Sequence, residues 1–252
     1  MIQAKSISAG YTNFKLENIN LQLKRKTFYV LAGPNASGKT TLIRALGGVI
    51  PLETGSLKIF GKSSEDLSAL DRGRLISHIP AEFHSGFPFS VREIVMMGRN
   101  PHIGRFAPYS KKDQEIAEEA MNDAGCLELA NRSITELSSG QRQLVLLARA
   151  ISQDTPFMLL DEPASHLDPA QASRVYDLLV RLVERGKTLL AVMHDLTAAS
   201  NYCENLILMK KGRIYAQGAP KEILNPELLK EVYGVAFTVE NGKTGLYVST
   251  GK

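Results

Sequence analysis

Residues 33–40 read Gly-Pro-Asn-Ala-Ser-Gly-Lys-Thr, a complete GxxxxGK[ST] pattern set between an apolar run and a helical stretch. The setting gives the pattern its weight. Phe28-Tyr29-Val30-Leu31-Ala32 is the uninterrupted apolar segment that a buried parallel strand needs. After the loop, residues 41–46 read as a helix stopped by Gly47-Gly48. Gly33 and Gly38 free the backbone to wrap an anion, whose charge the N–H groups of a helix N-terminus would face. Lys39 would then reach the β- and γ-phosphates of a nucleotide, and the Thr40 hydroxyl would ligate Mg²⁺. Asn35, Ala36, Ser37 and Thr41 complete the nucleotide-binding stretch. A flexible Gly/Ser turn is the bland alternative, and strand, Lys-Thr and helix in register count against it.

A chain of 252 residues holds one large α/β domain or two modest ones. Its 44% hydrophobic content supplies a core, and 22% charged residues are too few for a disordered chain. The net charge of +4 is scattered. Its densest spots, Lys24-Arg25-Lys26 and Lys210-Lys211, fall at turns, with no basic stripe carrying interleaved aromatics, so nucleic acid is not an expected partner. Cys126 and Cys203 fit no metal spacing and read as small buried hydrophobes of a reducing compartment. No apolar stretch approaches the roughly 20 residues of a membrane span, and the first residues lack a signal-peptide pattern. The expectation is a soluble, intracellular chain that would meet a membrane through a partner.

Along the chain, Ile2, Ala4 and Ser6, then Ile19, Leu21 and Leu23, alternate with polar positions as strands do. Further short strands are expected at 55–60 and at 75–79, the latter ended by Pro80. Composition shifts between about 82 and 150. An aromatic loop (Phe83, Phe87, Phe89) leads to Ser90-Val91-Arg92-Glu93, a capping box that starts a helix. Residues 99–109 read as irregular. Ser110 starts the next helix, with Ile116, Ala117, Ala120, Met121 and Ala124 at helical spacing and Gly125 at its end. This stretch is expected to be an inserted helical subdomain. From about 155 strands and helices alternate again: a strand at 157–160, a long helix from Pro169, a strand at 188–192, a helix at 196–203, strands at 206–209 and 213–216, and a helix from Pro226 to Tyr233. The tail after Gly234 has no assignment.

The strand at 157–160 ends in Asp161-Glu162. After a phosphate-binding loop, the first acid is expected near Mg²⁺ and the second is placed to polarise a water attacking the γ-phosphate.

Leu137-Ser138-Ser139-Gly140-Gln141, at the start of a helix and about 20 residues before Asp161, resembles the signature motif of ATP-binding cassette (ABC) ATPases. Ser139 stands where the usual form has Gly. Small residues let a helix N-terminus approach a phosphate closely, which in this family belongs to ATP bound by the opposite subunit. The resemblance implies further roles. Tyr11 matches the aromatic that stacks on adenine, with an ordinary strand-end tyrosine as the alternative. Ser165-His166-Leu167-Asp168 matches the D-loop, whose Asp crosses a dimer interface, although Asp168 before Pro169 is also a ready N-cap. His194 matches the switch histidine at the γ-phosphate. Ile79-Pro80-Ala81-Glu82 occupies the Q-loop position, where the family carries Pro-Gln, so that Ala81 stands in place of the glutamine. Ala81 has no side-chain hydrogen bond to offer, so Glu82 shifts in, the site works without that ligand, or the residue is an engineered change. Impaired or loosely coupled hydrolysis is the expected consequence.

The resemblance covers roughly residues 1–230. It implies an α/β fold: a P-loop NTPase core with a mixed sheet, an N-terminal antiparallel β-subdomain and an inserted α-helical subdomain. In these terms 1–252 is a single ABC ATPase domain, with 1–80 and 155–233 as RecA-like and β core, 82–152 as helical subdomain with the signature, and 234–252 as tail. Without membrane helices or room for a C-terminal regulatory domain, it looks like a transporter's separate ATPase subunit. Gly98-Arg99-Asn100-Pro101-His102 resembles the Gly-Arg-x-Pro-His pattern of importers of iron–siderophore, haem and cobalamin; zinc and manganese importers are the alternative branch. ATP and Mg²⁺ are the implied cofactors. Implied partners are a second copy sandwiching two ATP molecules, a membrane permease at the cytoplasmic face, and indirectly a periplasmic or lipid-anchored substrate-binding protein. Phe83, Phe87 and Phe89 are candidates for the permease contact, against simple core packing. A low-turnover nucleotide-gated module is the reading from another class, motivated by Ala81. A soluble ABC ATPase of assembly or repair is disfavoured, since tandem cassettes and coiled-coil insertions are absent.

Overall fold

A computed structural model describes residues 1–81, 83, 86–104, 107–242 and 245–251. In chain order the strands are β1 (Ile2–Tyr11), β2 (Phe14–Leu23), β3 (Phe28–Ala32), β4 (Thr54–Ile59), β5 (Lys62–Ser63), β6 (Ile76–Ile79), β7 (Phe157–Asp161), β8 (Thr188–Val192), β9 (Asn205–Lys210), β10 (Arg213–Gly218), β11 (Phe237–Asn241) and β12 (Leu246–Thr250). The helices are α1 (Lys39–Leu46), α2 (Ala69–Leu75), α3 (Val91–Met96), α4 (Lys111–Asp123), α5 (Ser139–Ser152), α6 (Pro169–Glu184), α7 (Leu196–Tyr202), α8 (Pro220–Ile223) and α9 (Pro226–Tyr233). The chain divides into two compact units, Met1–Leu67 with Val183–Lys252, and Ser68–Leu182.

In the first unit β2, β1, β4 and β5 form an antiparallel sheet in that order. Its inward face is Ile2, Ala4, Ile7 and Ala9, not Ser6. The expected alternation slips because the register shifts between Ala4 and Ile7, where Ser6 takes a φ of 47°. Such a bulge turns the next residue to the opposite face, so an apolar side chain replaces the serine inside. Ser6 instead donates its backbone N–H to Asn20 Oδ1 at 3.0 Å. The same unit pairs β3 in parallel with β8 on one side and β9 on the other, with β10 antiparallel beside β9. Every residue of β3 and β8 is buried, which explains why both read as unbroken apolar runs. The unassigned tail forms an antiparallel β11–β12 hairpin. All its residues but Leu246 are exposed or half-exposed, so little apolar alternation marks it in the sequence.

In the second unit β6 and β7 pair in parallel. Three helices, α3, α4 and α5, bury Val91 and Val95, Ala117 and Met121, and Val145 and Leu147. Each starts on a closed capping box: Ser90 with Glu93, Ser110 with Asp113, and Ser138 with Gln141. The first two boxes fall where the sequence places helix starts. Helix α2 was not expected; it buries no residue and so carries no apolar stripe. The stretch read as irregular opens with a 3₁₀ turn, Met97–His102. Arg99 is buried there, donating Nε to Asp113 Oδ1 at 3.0 Å and Nη1 to the Ser152 carbonyl at 2.7 Å. His102 Nε2 lies 2.7 Å from the Gln153 carbonyl oxygen. Gly98 is a packing requirement, since a Cβ there would overlap the Arg149 carbonyl oxygen and Ser152 Oγ. The Gly-Arg-x-Pro-His stretch is thus a clasp on the carboxyl end of α5.

Candidate active site

The phosphate loop leaves β3 at Ala32 and takes conformations that side chains resist. Gly33 has φ 150° and a Cβ there would overlap the Met209 carbonyl oxygen; Ala36 has φ 59° and Gly38 φ 105°. Ser37 N–H donates to the Pro34 carbonyl at 3.1 Å, and Gly212 N–H to the Ser37 carbonyl at 2.9 Å, pinning the loop to the β9–β10 turn. Asn35 and Ala36 are exposed at the tip, and Thr41 is buried in the first turn of α1. Lys39 folds back with its ammonium on the Gly33 and Pro34 carbonyls at 2.8 and 3.0 Å. Among the described residues, no side chain caps α1, and its first turn carries no acid. The positive dipole end of α1 therefore favours an anion at the loop. Ser37 Oγ is buried with no hydrogen-bond partner among the described residues. A wrapped loop, an ammonium, an uncapped helix and an unspent hydroxyl fit the phosphates of a nucleotide.

Two more expected residues flank this loop in the same unit. Tyr11 ends β1 with its ring exposed, and its hydroxyl accepts from Arg44 Nη1 at 3.1 Å. Arg44 was not singled out from the sequence. His194 follows β8, the parallel neighbour of β3, and Met193 N–H donates to the Leu31 carbonyl at 3.2 Å. Loop and histidine therefore leave the carboxyl ends of adjacent strands, where ligands of open α/β sheets bind. Asp195 caps α7 through Ala198 N–H at 3.0 Å, so His194 sits immediately before a fixed helix start.

The second unit carries the acids and the signature. Ile79 pairs with Leu160, which sets Pro80-Ala81 and Asp161-Glu162 at the same end of two parallel strands. Asp161 is buried, and Glu162 is held at φ 55°. The Glu162 carbonyl accepts from Ser165 N–H at 3.1 Å and from Gln143 Nε2 at 3.2 Å. Ala81 lines a cavity of about 240 Å³ with Phe83, Ser139, Gln143 and His166 among its walls. Glu82, the other Q-loop position, lies outside the described residues. Asp168 Oδ1 accepts from Gln171 N–H at 2.9 Å, so it caps α6 as its place before proline suggests.

At the signature, Ser138 Oγ accepts from Gln141 N–H at 3.2 Å while Gln141 Oε1 accepts from Ser138 N–H at 3.1 Å. Ser139 is exposed. Gly140 is buried, and a Cβ there would stand 3.0 Å from Leu167 Cδ2 and 3.1 Å from the His166 carbonyl oxygen. Its smallness thus serves packing against the D-loop of its own chain as well as any approach to a phosphate. Gln143, one turn further on, was missed: its partner is 19 residues away in the chain, and no short motif announces it. Phe83 lies with its ring 5.5 Å from the Arg149 guanidinium, whereas Phe87 and Phe89 face outward.

The sequence model of the ABC transporter family matches residues 16–165. The ferric enterobactin transport ATP-binding protein of Escherichia coli (strain K12) is 35% identical over 236 residues, 93% of this chain and 87% of that protein. The cobalamin import ATP-binding protein of Halobacterium salinarum (strain ATCC 29341 / DSM 671 / R1) is 34% identical over 225 residues, 89% of this chain. Of that longer protein the chain spans only 56%. A solved structure described as a metal-chelate type ABC transporter in an inward-facing conformation superposes with a TM-score of 0.85 at 28% identity, covering 99% of this chain and 96% of that one. The family match over residues 16–165 and the 35% identity over most of both chains show that the chain belongs to the ABC transporter family, among its ATP-binding proteins.

Proposed function

We propose that the chain hydrolyses ATP to power a membrane permease importing a metal chelate of the iron–siderophore, haem or cobalamin kind. The phosphate loop carries this reading: strained backbone, buried ammonium and orphan hydroxyl all converge on an uncapped helix. The relatives' names and the Gly98–His102 pattern support the cargo class. In this reading the whole of 1–252 is one ABC ATPase domain, with 82–152 as its helical part.

Each side chain then has a task. Lys39 and the amides of 38–41 neutralise the β- and γ-phosphates, and Tyr11 stacks on adenine. Thr40 and Asp161 would hold Mg²⁺, which when bound offsets phosphate charge in the transition state. Glu162 polarises the attacking water, and His194 steadies the γ-phosphate. Ser138, Ser139, Gly140 and Gln141 address ATP held by a second copy, and Asp168 crosses to that copy. ATP would close the pair, and loss of the γ-phosphate would part it, a ligand-driven population shift. A hollow of about 460 Å³ is lined by Phe89, Met96, Met97 and Tyr109 together with the polar Arg92, Glu93 and Gln114. It suits a helix of the permease, with Phe87 beside it. The subunit would sit at the cytoplasmic face, with a periplasmic or lipid-anchored binding protein delivering cargo beyond.

No helix among the described residues is long and apolar enough to cross a membrane. Ala81 and the cavity beside it favour a second reading, a slow nucleotide-gated module. Co-expressed with its permease, the chain should co-purify with it and release phosphate from Mg-ATP, and Glu162→Gln should bind ATP and release none. An assembled complex without ATP-dependent phosphate release contradicts the first reading. A rise in turnover with Ala81→Gln supports the second.

A further inference from the structure

We propose that Gln143 is a positioning residue for Glu162, tying the signature helix to the acid that polarises the attacking water. This rests on the reading of Glu162 as that acid. Gln143 is 5% exposed and lies three residues beyond Gly140, on the same face of α5. Its Nε2 donates to the Glu162 carbonyl at 3.2 Å, and Ser165 N–H donates to the same oxygen at 3.1 Å. Together they occupy both lone pairs of that carbonyl.

The hold matters because Glu162 stands at φ 55°, a backbone conformation that residues with a Cβ avoid. Rotation out of that conformation would swing the Cα–Cβ bond, and with it the carboxylate. Two donors on the carbonyl oppose the rotation. Gly140 supplies a second contact, packing against the far end of the same turn, where an added Cβ would stand 3.0 Å from Leu167 Cδ2 and 3.1 Å from the His166 carbonyl oxygen. The amino-terminal half of α5 therefore grips the 162–167 turn at two points one helical turn apart. Gln143 also lines the cavity beside Ala81. A pull on the signature by a partner's nucleotide would consequently reach the acid of the subunit's own site.

The test uses the full chain with its permease, carrying Gln143→Met, Gln143→Glu or Glu162→Gln, and measures kcat, KM for Mg-ATP and the thermal midpoint. Methionine keeps the length and loses the donor; glutamate keeps the shape and sets an acceptor against an acceptor. The expected result is a fall in kcat of up to ~100-fold for methionine, the scale of a 1 Å misplacement, with KM within about twofold and the midpoint lowered by no more than the loss of one hydrogen bond. Glutamate should fall further; where that chain does not fold, the methionine variant decides alone. If Glu162→Gln is inactive but both Gln143 variants keep wild-type kcat, the positioning role is overturned. It is equally overturned if kcat falls only in step with a large fall in midpoint and a rise in KM, which marks a structural role alone. If Glu162→Gln stays active, the assignment of the acid is what fails.

Discussion

Two helix N-termini in this molecule carry phosphate-facing expectations, and they are built in opposite ways. Helix α1 starts on Gly38 without a side-chain cap, its loop strained, its ammonium resting on backbone carbonyls and the Ser37 hydroxyl unspent. Helix α5 starts on a closed box in which Ser138 and Gln141 satisfy each other's N–H groups. The first end is left incomplete without an anion. The second is complete on its own and offers only the Ser139 and Gly140 amides. That difference suits a site whose nucleotide is bound by one end and merely recognised by the other.

Helix α5 is also fixed at its far end, where Arg99 bonds the Ser152 carbonyl and Asp113. Breaking that clasp is the largest expected effect. Arg99→Met should cost about 3 kcal/mol, because it takes the ion-pair partner from a buried carboxylate that keeps only Ser110 and removes the donor to the Ser152 carbonyl, and calorimetry should show the thermal midpoint falling accordingly. The Ser110 hydroxyl first, then Arg99, holds the Asp113 carboxyl below the usual range against the opposing effect of burial. A carboxylate lowered in the native state adds stability above the unfolded pKa, near 3.9, and loses it as pH falls through the native value. Asp113→Asn should therefore flatten the acid limb of the midpoint-versus-pH curve.

The open end should respond through ligand rather than stability. Lys39→Ala should weaken Mg-ATP binding by roughly 100-fold, a loss of about 2.7 kcal/mol read by titration calorimetry. Gly38→Ala should weaken it too, since a Cβ at φ 105° would press on Phe14 and Leu16. For the closed end, Ser138→Ala should cost ~1 kcal/mol of stability through the lost cap, with a smaller midpoint shift than Arg99→Met. If Ser138→Ala left the midpoint untouched, the contrast between the two ends would lose its basis. The smallest effect concerns the cysteines. Burial pushes the Cys126 and Cys203 thiols up to about 12, so the native chain should resist thiol reagents at pH 8, and rapid labelling would contradict it.

What the sequence discloses here is whatever a few consecutive residues decide. The phosphate loop, the boxes at Ser90 and Ser110, and the cap at Asp168 are all settled within about a turn of chain. The bulge at Ser6 escapes such reading because it depends on a partner strand. The hairpin β11–β12 and the exposed helix α2 escape because they bury too little to print a pattern. The Gly98–His102 stretch is instructive in another way. It reads as a mark of one importer branch, yet its glycine, arginine and histidine all serve contacts with the end of α5. Gln143 was invisible because the carbonyl it holds belongs to another element.

The central claim is that a complete site takes the phosphate loop of one copy and the signature of another. Lys39→Ala and Ser138→Arg chains, each inactive alone, should regain phosphate release when combined in one complex, because one of the two mixed sites then holds an intact loop and an intact signature. A mixture as inactive as either variant by itself would contradict the account.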